Sequence, residues 1–234
     1  MERGVERRGV PQHLMRAPHD LLGASVGRRQ PGRLHRHGRH QEQVALIQHE
    51  REGPHFAFHP GDFTGLKDAP DGPYDLVYTR LTLYHIDDPV AVLRTLWSWL
   101  KPGGVLIAMD FDGGPVGSFP DSEVAREIIH VINETMRRVG RDIHIGSRLP
   151  HLFSCAGIAP IAGTDVASKL LPIGELGNMP RAVLRSLREP AVKLGVASEA
   201  EIDRIDAAFA ARMSDPSIYL LAPLMVSTWA RKPG

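Results

Sequence analysis

The stretch Tyr74–Asp112, YDLVYTRLTLYHIDDPVAVLRTLWSWLKPGGVLIAMDFD, decides the fold. Tyr74–Tyr78 is a short run of strand type, and Val105–Met109 is a continuous apolar run suited to a strand covered on both faces. Between them Asp87-Asp88-Pro89 opens a helix, with Asp at the N-cap and Pro in the first turn. Val92, Leu93, Leu96, Trp97 and Leu100 form its apolar face, and Lys101-Pro-Gly-Gly104 stops it. Trp97 and Trp99 are expected to pack against a sheet. Strand, helix, strand is a βαβ unit, and open α/β sheets bind ligands beyond the carboxyl ends of such strands. Thr79–His85 and Asp110–Asp112 fall at those ends.

Upstream, Gln43–Glu52 reads as a short amphipathic helix with Val44, Leu46 and Ile47 inward, ended by Gly53-Pro54. His55–His59 alternates as a strand and closes on Pro60-Gly61-Asp62-Phe63. Leu66–Pro73 is a turn-rich connection. Residues 1–40 have neither a strand nor a helix period, and Gly, Arg, His and Pro dominate. So little apolar surface cannot offset the entropy of ordering, and this segment is expected to be disordered or loosely packed, with one domain over residues 41–234.

The charge follows the same boundary. Residues 1–40 hold nine arginines against Glu2, Glu6 and Asp20, an excess of six positive charges, so the remainder carries −5 in a chain of net charge +1. A basic arm of this kind can meet nucleic acid, but it lacks interleaved aromatics and a folded platform, which makes that the weakest reading. His35, His37 and His40 have a ligand-like spacing with no scaffold to fix their geometry, so no metal is expected. The arm's composition is also what GC-rich coding DNA gives when read out of frame, and sequencing the gene tests that.

With 234 residues, 42% hydrophobic and 24% charged, the chain suits one sizeable α/β domain, or a domain with a small cap. The single Cys155 cannot form an internal disulfide and is expected to be a small buried apolar residue in a reducing cytoplasm. No apolar run reaches the ~18 residues of a membrane helix, and no signal-peptide core is present, so the expectation is a cytoplasmic protein without a membrane partner.

Downstream, Asp121 or Ser122 caps a helix to about Arg138, with a stripe of Ile128, Ile129, Ile132 and Met136. A short helix over Gly146–Ala156, a strand over Pro160–Leu171 and a last strand over Tyr219–Ala230 follow. Between those strands lies a helical insertion: one helix over Pro180–Leu194, another after a capping box at Ser198 and Glu201. Cap elements are therefore expected at 115–156 and 174–216. Met179, Leu184, Leu187, Phe209 and Met213 fit either a partly hydrophobic acceptor site or ordinary helix packing.

Asp75-Leu76-Val77, Leu83-Tyr84-His85, Leu100–Gly104 as L-K-P-G-G, and Gly146–Ile158 as G-x-R-L-P-x-L-F-x-x-A-G-I occur in a distinctive order. The wording resembles the second half of a class I S-adenosylmethionine-dependent methyltransferase core. The resemblance implies an α/β fold with a Rossmann-like methyltransferase sheet, its last two strands antiparallel neighbours, and a helical cap insertion near the C-terminus. The family's Gly-rich D-x-G-x-G loop is not recognisable, so the first two strands are expected to be degraded. Asp20–Gly27 has its glycines in the wrong register after the acid.

By the same resemblance the chain methylates a small, partly apolar molecule by in-line transfer from S-adenosyl-L-methionine. Asp62 would bind the adenine amino group, Phe63 would supply a backbone amide and an apolar wall, and Thr79, Arg80 and Leu81 would face the methionine portion. Tyr84 and Asp110 are candidate substrate residues. His85 is a candidate catalytic base by its titration range, with structural positioning as its other reading. A homodimer is one expectation of assembly. The alternative function is a non-catalytic methyltransferase-like remnant lacking the cofactor loop.

Overall fold

The computed structural model describes residue 69 and residues 72–234. The expected helix 43–52, the strand 55–59, the boundary at 40/41, the histidine tract, and Asp62 with Phe63 lie outside these residues.

The decisive stretch folds as β1 (Tyr74–Arg80), a 3-10 turn (Leu83–His85), α1 (Pro89–Ser98) and β2 (Leu100–Asp112), with β1 and β2 parallel. Asp88 caps α1, its carboxylate accepting from the Ala91 amide at 2.9 Å, and Pro89 takes the first helical position, where no amide partner is needed. The helix ends at Ser98, short of the expected stop at Lys101-Pro-Gly-Gly104; Leu100, expected on its apolar face, opens β2, and Lys101–Gly104 belong to that strand. Tyr74 pairs with Leu100 and Leu76 with Val105, so the ladder absorbs the extra residues in an irregularity. Gly103 makes this feasible by taking φ 80°, with its amide donating to the Lys232 carbonyl at 3.0 Å.

The remaining elements are β3 (Gly117–Phe119), α2 (Glu123–Arg138), α3 (Ile145–Cys155), β4 (Ile161–Ala167), β5 (Leu170–Pro172), α4 (Ile173–Leu176), α5 (Asn178–Ser186), α6 (Arg188–Lys193), α7 (Glu199–Arg212), β6 (Tyr219–Leu221) and β7 (Leu224–Arg231). The main sheet has the order β1-β2-β7-β4, with β7 antiparallel to both neighbours, and a smaller sheet has the order β3-β6-β5. The two long strands expected near the C-terminus are each broken, and their halves serve different sheets. Pro223 supplies no ladder donor, and Ser168 Oγ bonds the Ala222 carbonyl at 2.8 Å where both chains turn. The helix expected over Pro180–Leu194 is likewise split at Leu187, ahead of Pro190.

Among the described residues two apolar cores result. In the first, α1 and α3 cover one face of the main sheet, with Leu93, Leu106, Ala108, Leu149, Phe153 and Ile158 fully buried. Trp99 is buried there and Trp97 half-buried, as core packing requires. Cys155 is exposed, not buried, because it falls off the Leu149–Leu152–Phe153 stripe that α3 turns to the sheet. The second core joins α2 and α4–α7 to the small sheet through Ile128, Ile173, Leu184, Ile202 and Phe209. Leu184, Leu187 and Phe209 are thus spent on packing the insertion itself. Of the helices within 115–156, α2 joins this second core and α3 the main sheet. No helix among the described residues is long and apolar enough to cross a membrane.

Candidate active site

The carboxyl ends of β1 and β2 lie side by side, with Arg80 paired to Met109. Beyond them the chain bends sharply. Leu81 holds a left-handed φ of 52° while its amide donates to the Met109 carbonyl at 2.9 Å. Such a conformation in a branched residue costs about 1 kcal/mol or more and persists only where surrounding bonds enforce it.

Asp110 holds the turn that follows. Its carboxylate is fully buried and accepts from the Tyr84 amide at 3.2 Å and from its neighbour Phe111 at 3.1 Å. Burial raises its pKa, while backbone hydrogen bonds from Phe111, Tyr84, Leu83 and Thr82 pull the other way. Asp110 therefore clamps the 3-10 turn to β2, and its oxygens are engaged with backbone amides.

Tyr84 is buried with its ring edge-on to Phe111 at 4.8 Å, and its hydroxyl donates to the Met136 thioether. Burial pushes the phenol up to about 12, with Asp110 adding to the rise and Arg141 opposing it. His85 lies half-buried, edge-on to Tyr84 at 4.6 Å, and its carbonyl accepts from Arg141 Nη1 at 2.9 Å. Burial and then the Arg141 charge lower its pKa, so the imidazole is neutral at pH 7.

Of the residues expected around a cofactor, Thr79 and Arg80 line an open groove of ≈ 340 Å³ that runs along β1 from Tyr74 to Thr82 and is otherwise mostly apolar, with Leu76, Val77, Leu96 and Trp99. The Thr79 hydroxyl is buried there without a partner among the described residues, and Leu81 sits at the bend beyond. The structure thus brings Thr79, Arg80, Leu81, Tyr84, His85 and Asp110 to one end of the sheet.

Sequence reasoning placed Asp112 at this end of β2 but passed over its partner, His144. Asp112, three residues past Met109, accepts from His144 Nδ1 at 3.0 Å and from the Gly114 amide at 2.8 Å. Burial alone would raise its pKa, but hydrogen bonds from Ser147, Gly114 and His144 outweigh that and hold the carboxyl below its usual 3.8. Gly146 creates the contact: a Cβ there would lie 2.7 Å from the Asp110 carbonyl oxygen, so only glycine lets the start of α3 sit this close to β2. That glycine, in Asp142-Ile-His144-Ile-Gly146, was the one available signal.

The profile of the family described as a methyltransferase domain matches residues 11–144, more than half of the 234-residue chain. The chain belongs to this methyltransferase domain family. The match takes in β1, α1, β2 and most of the site, and it begins inside the basic arm. Over 107 residues the chain is 28% identical to phosphoethanolamine N-methyltransferase 1 of Arabidopsis thaliana, an alignment covering 46% of this chain and 20% of that protein. A phosphoethanolamine N-methyltransferase of Triticum aestivum is 29% identical over 107 residues, 46% of this chain and 19% of the relative. The chain thus spans about a fifth of the length of these curated relatives. A crystal structure of a Bacillus halodurans protein described as a methyltransferase aligns with a TM-score of 0.50 at 14% identity, covering 82% of this chain and 78% of that one. At that identity the likeness speaks for the fold, which is a Rossmann-like methyltransferase fold.

Proposed function

We propose that the chain is an S-adenosylmethionine-dependent methyltransferase acting on a small-molecule acceptor. The observation that carries the reading is the family match over β1, α1 and β2, with a Thr79 hydroxyl that is buried and unpartnered among the described residues beside a groove running along β1 from Tyr74 to Thr82. A buried hydroxyl without a partner costs free energy unless a ligand satisfies it. The described residues fit the polar, amino-acid end of the methyl donor: Thr79 and Arg80 would hold it, with the bend at Leu81 shaping the end of the groove. By resemblance, Asp62 and Phe63 would take the adenine end. The donor supplies an electrophilic methyl group on a sulfonium, so the protein has mainly to orient and desolvate.

On this reading Asp110 and Tyr84 build the floor of the site rather than touch the acceptor, and His85 positions the turn beside them. The relatives' names make phosphoethanolamine the first acceptor to try. Calorimetric titration of the full chain with S-adenosylhomocysteine is the test. Micromolar binding that weakens about tenfold in Thr79→Val supports the proposal. No heat of binding to a folded wild-type chain overturns it in favour of a non-catalytic relative.

A further inference from the structure

We propose that His144, held by Asp112, accepts the proton that the methyl acceptor loses. The inference rests on the function proposed above and adds a residue to it. Its basis is the asymmetry of the pair. The Asp112 side chain is 7% exposed and that of His144 is 54% exposed, so a fixed buried carboxylate grips one side of a ring whose other side meets solvent. Asp112 has no freedom to turn away, because the Gly114 amide and Ser147 hydroxyl also donate to it.

The backbone that carries the ring is held as well. The His144 amide donates to Asp142 Oδ1 at 2.9 Å, and Asp142 Oδ2 is paired with Arg148 at 2.7 Å. A Cβ at Gly114 would lie 2.8 Å from His144 Cε1, so glycine in the loop after β2 lets the imidazole stand here without shifting. With Nδ1–H donating to the carboxylate, the ring presents Nε2 outward, beyond the carboxyl end of β2. A carboxylate that fixes the tautomer and steadies the resulting imidazolium is a general way to make a base of histidine.

The step balances as follows. The acceptor's nitrogen or oxygen lone pair forms the bond to the methyl carbon, and the carbon–sulfur electron pair stays with sulfur, leaving a neutral thioether. The proton released from the acceptor moves to His144 Nε2, giving an imidazolium paired with Asp112, and passes to solvent from the exposed ring.

The test uses the full chain with 15N-labelled histidine, and His144→Asn and Asp112→Asn variants. Asn at 144 keeps a donor for Asp112 but has no Nε2, so a merely structural role would leave it whole. Two-bond 1H–15N spectra of the wild type are expected to show the His144 signal, identified by its loss in His144→Asn, as the Nδ1–H tautomer. Asp112→Asn is expected to shift it toward Nε2–H. An Nε2–H tautomer in the wild type overturns the proposal whatever the acceptor. Methyl transfer to phosphoethanolamine is expected to fall about 10²-fold or more in kcat for His144→Asn, with S-adenosylhomocysteine affinity unchanged. Retention of kcat within threefold overturns the role of His144 and leaves the methyltransferase reading standing. A folded wild type that binds no S-adenosylhomocysteine removes that reading, and with it this one.

Discussion

Gly146→Ala is the substitution whose outcome the packing dictates most directly. An added Cβ would stand 2.7 Å from the Asp110 carbonyl oxygen and 2.8 Å from the Phe111 carbonyl carbon and oxygen, where ordinary contact begins near 3.4 Å. All three atoms are backbone of β2, which is laddered to β1 on one side and β7 on the other. They cannot step aside as a side chain would, so the start of α3 must lift by about 0.7 Å or more. Overpacking of this kind costs about 1–3 kcal/mol, against a gain in helix propensity of at most about 1 kcal/mol for replacing glycine by alanine. The clash wins, and a net loss of about 1–2 kcal/mol is expected, or roughly 2–8 °C in melting temperature for a chain of this size. Urea unfolding followed by circular dichroism measures it as a fall in midpoint at constant slope. Gly117→Ala is the control: its nearest atom is 3.9 Å away, and a change within about 0.5 kcal/mol is expected. A Gly146→Ala chain as stable as wild type would refute the close seating of α3 on β2, and with it the means by which His144 reaches Asp112.

Three further outcomes follow from named contacts. Asp110→Ala strands the buried Tyr84 amide and its neighbours at about 1–3 kcal/mol for each orphaned donor, whereas Asp110→Asn keeps an acceptor and sheds a buried charge. Urea midpoints should rank wild type near Asn and well above Ala, and equal damage from both would contradict the clamp. Ser198 Oγ accepts from the Glu201 amide at 3.2 Å and Glu201 Oε2 from the Ser198 amide at 2.7 Å, so Ser198→Ala should cost about 1 kcal/mol, read in the same way. Asp206 is held below its usual 3.8 by hydrogen bonds from Arg181 at 2.7 Å and Arg185 at 2.8 Å. A depressed carboxyl pKa stabilises fully above the unfolded value and loses that stability as pH falls through the folded one. Asp206→Asn should therefore flatten the acid limb of stability below about pH 4, and an unchanged limb would show that the pairing between α5 and α7 contributes nothing there.

The βαβ unit was legible because its signals are local. Asp88 and Pro89 start α1, and the apolar runs at Tyr74–Tyr78 and Val105–Met109 read as strands whatever surrounds them. The site was legible as a place, since Thr79–His85 and Asp110 fall at strand ends, but not as a set of roles. Nothing local announced that the amides of Thr82–Tyr84 would turn onto Asp110. Nor did anything near Tyr84 announce Met136, 52 residues away, whose thioether meets its hydroxyl.

By itself the sequence determined the order of strand, helix and strand, because capping, chain stiffness and apolar period act over a few residues; the family was legible only through the resemblance of its motifs. Only the tertiary structure decided that the two C-terminal runs divide between two sheets, that the insertion buries its own apolar residues, and that His144 stands on Asp112. Those outcomes depend on which backbones can approach one another. A missing Cβ at Gly146, or a missing amide hydrogen at Pro223, acts only through a neighbour distant in the chain.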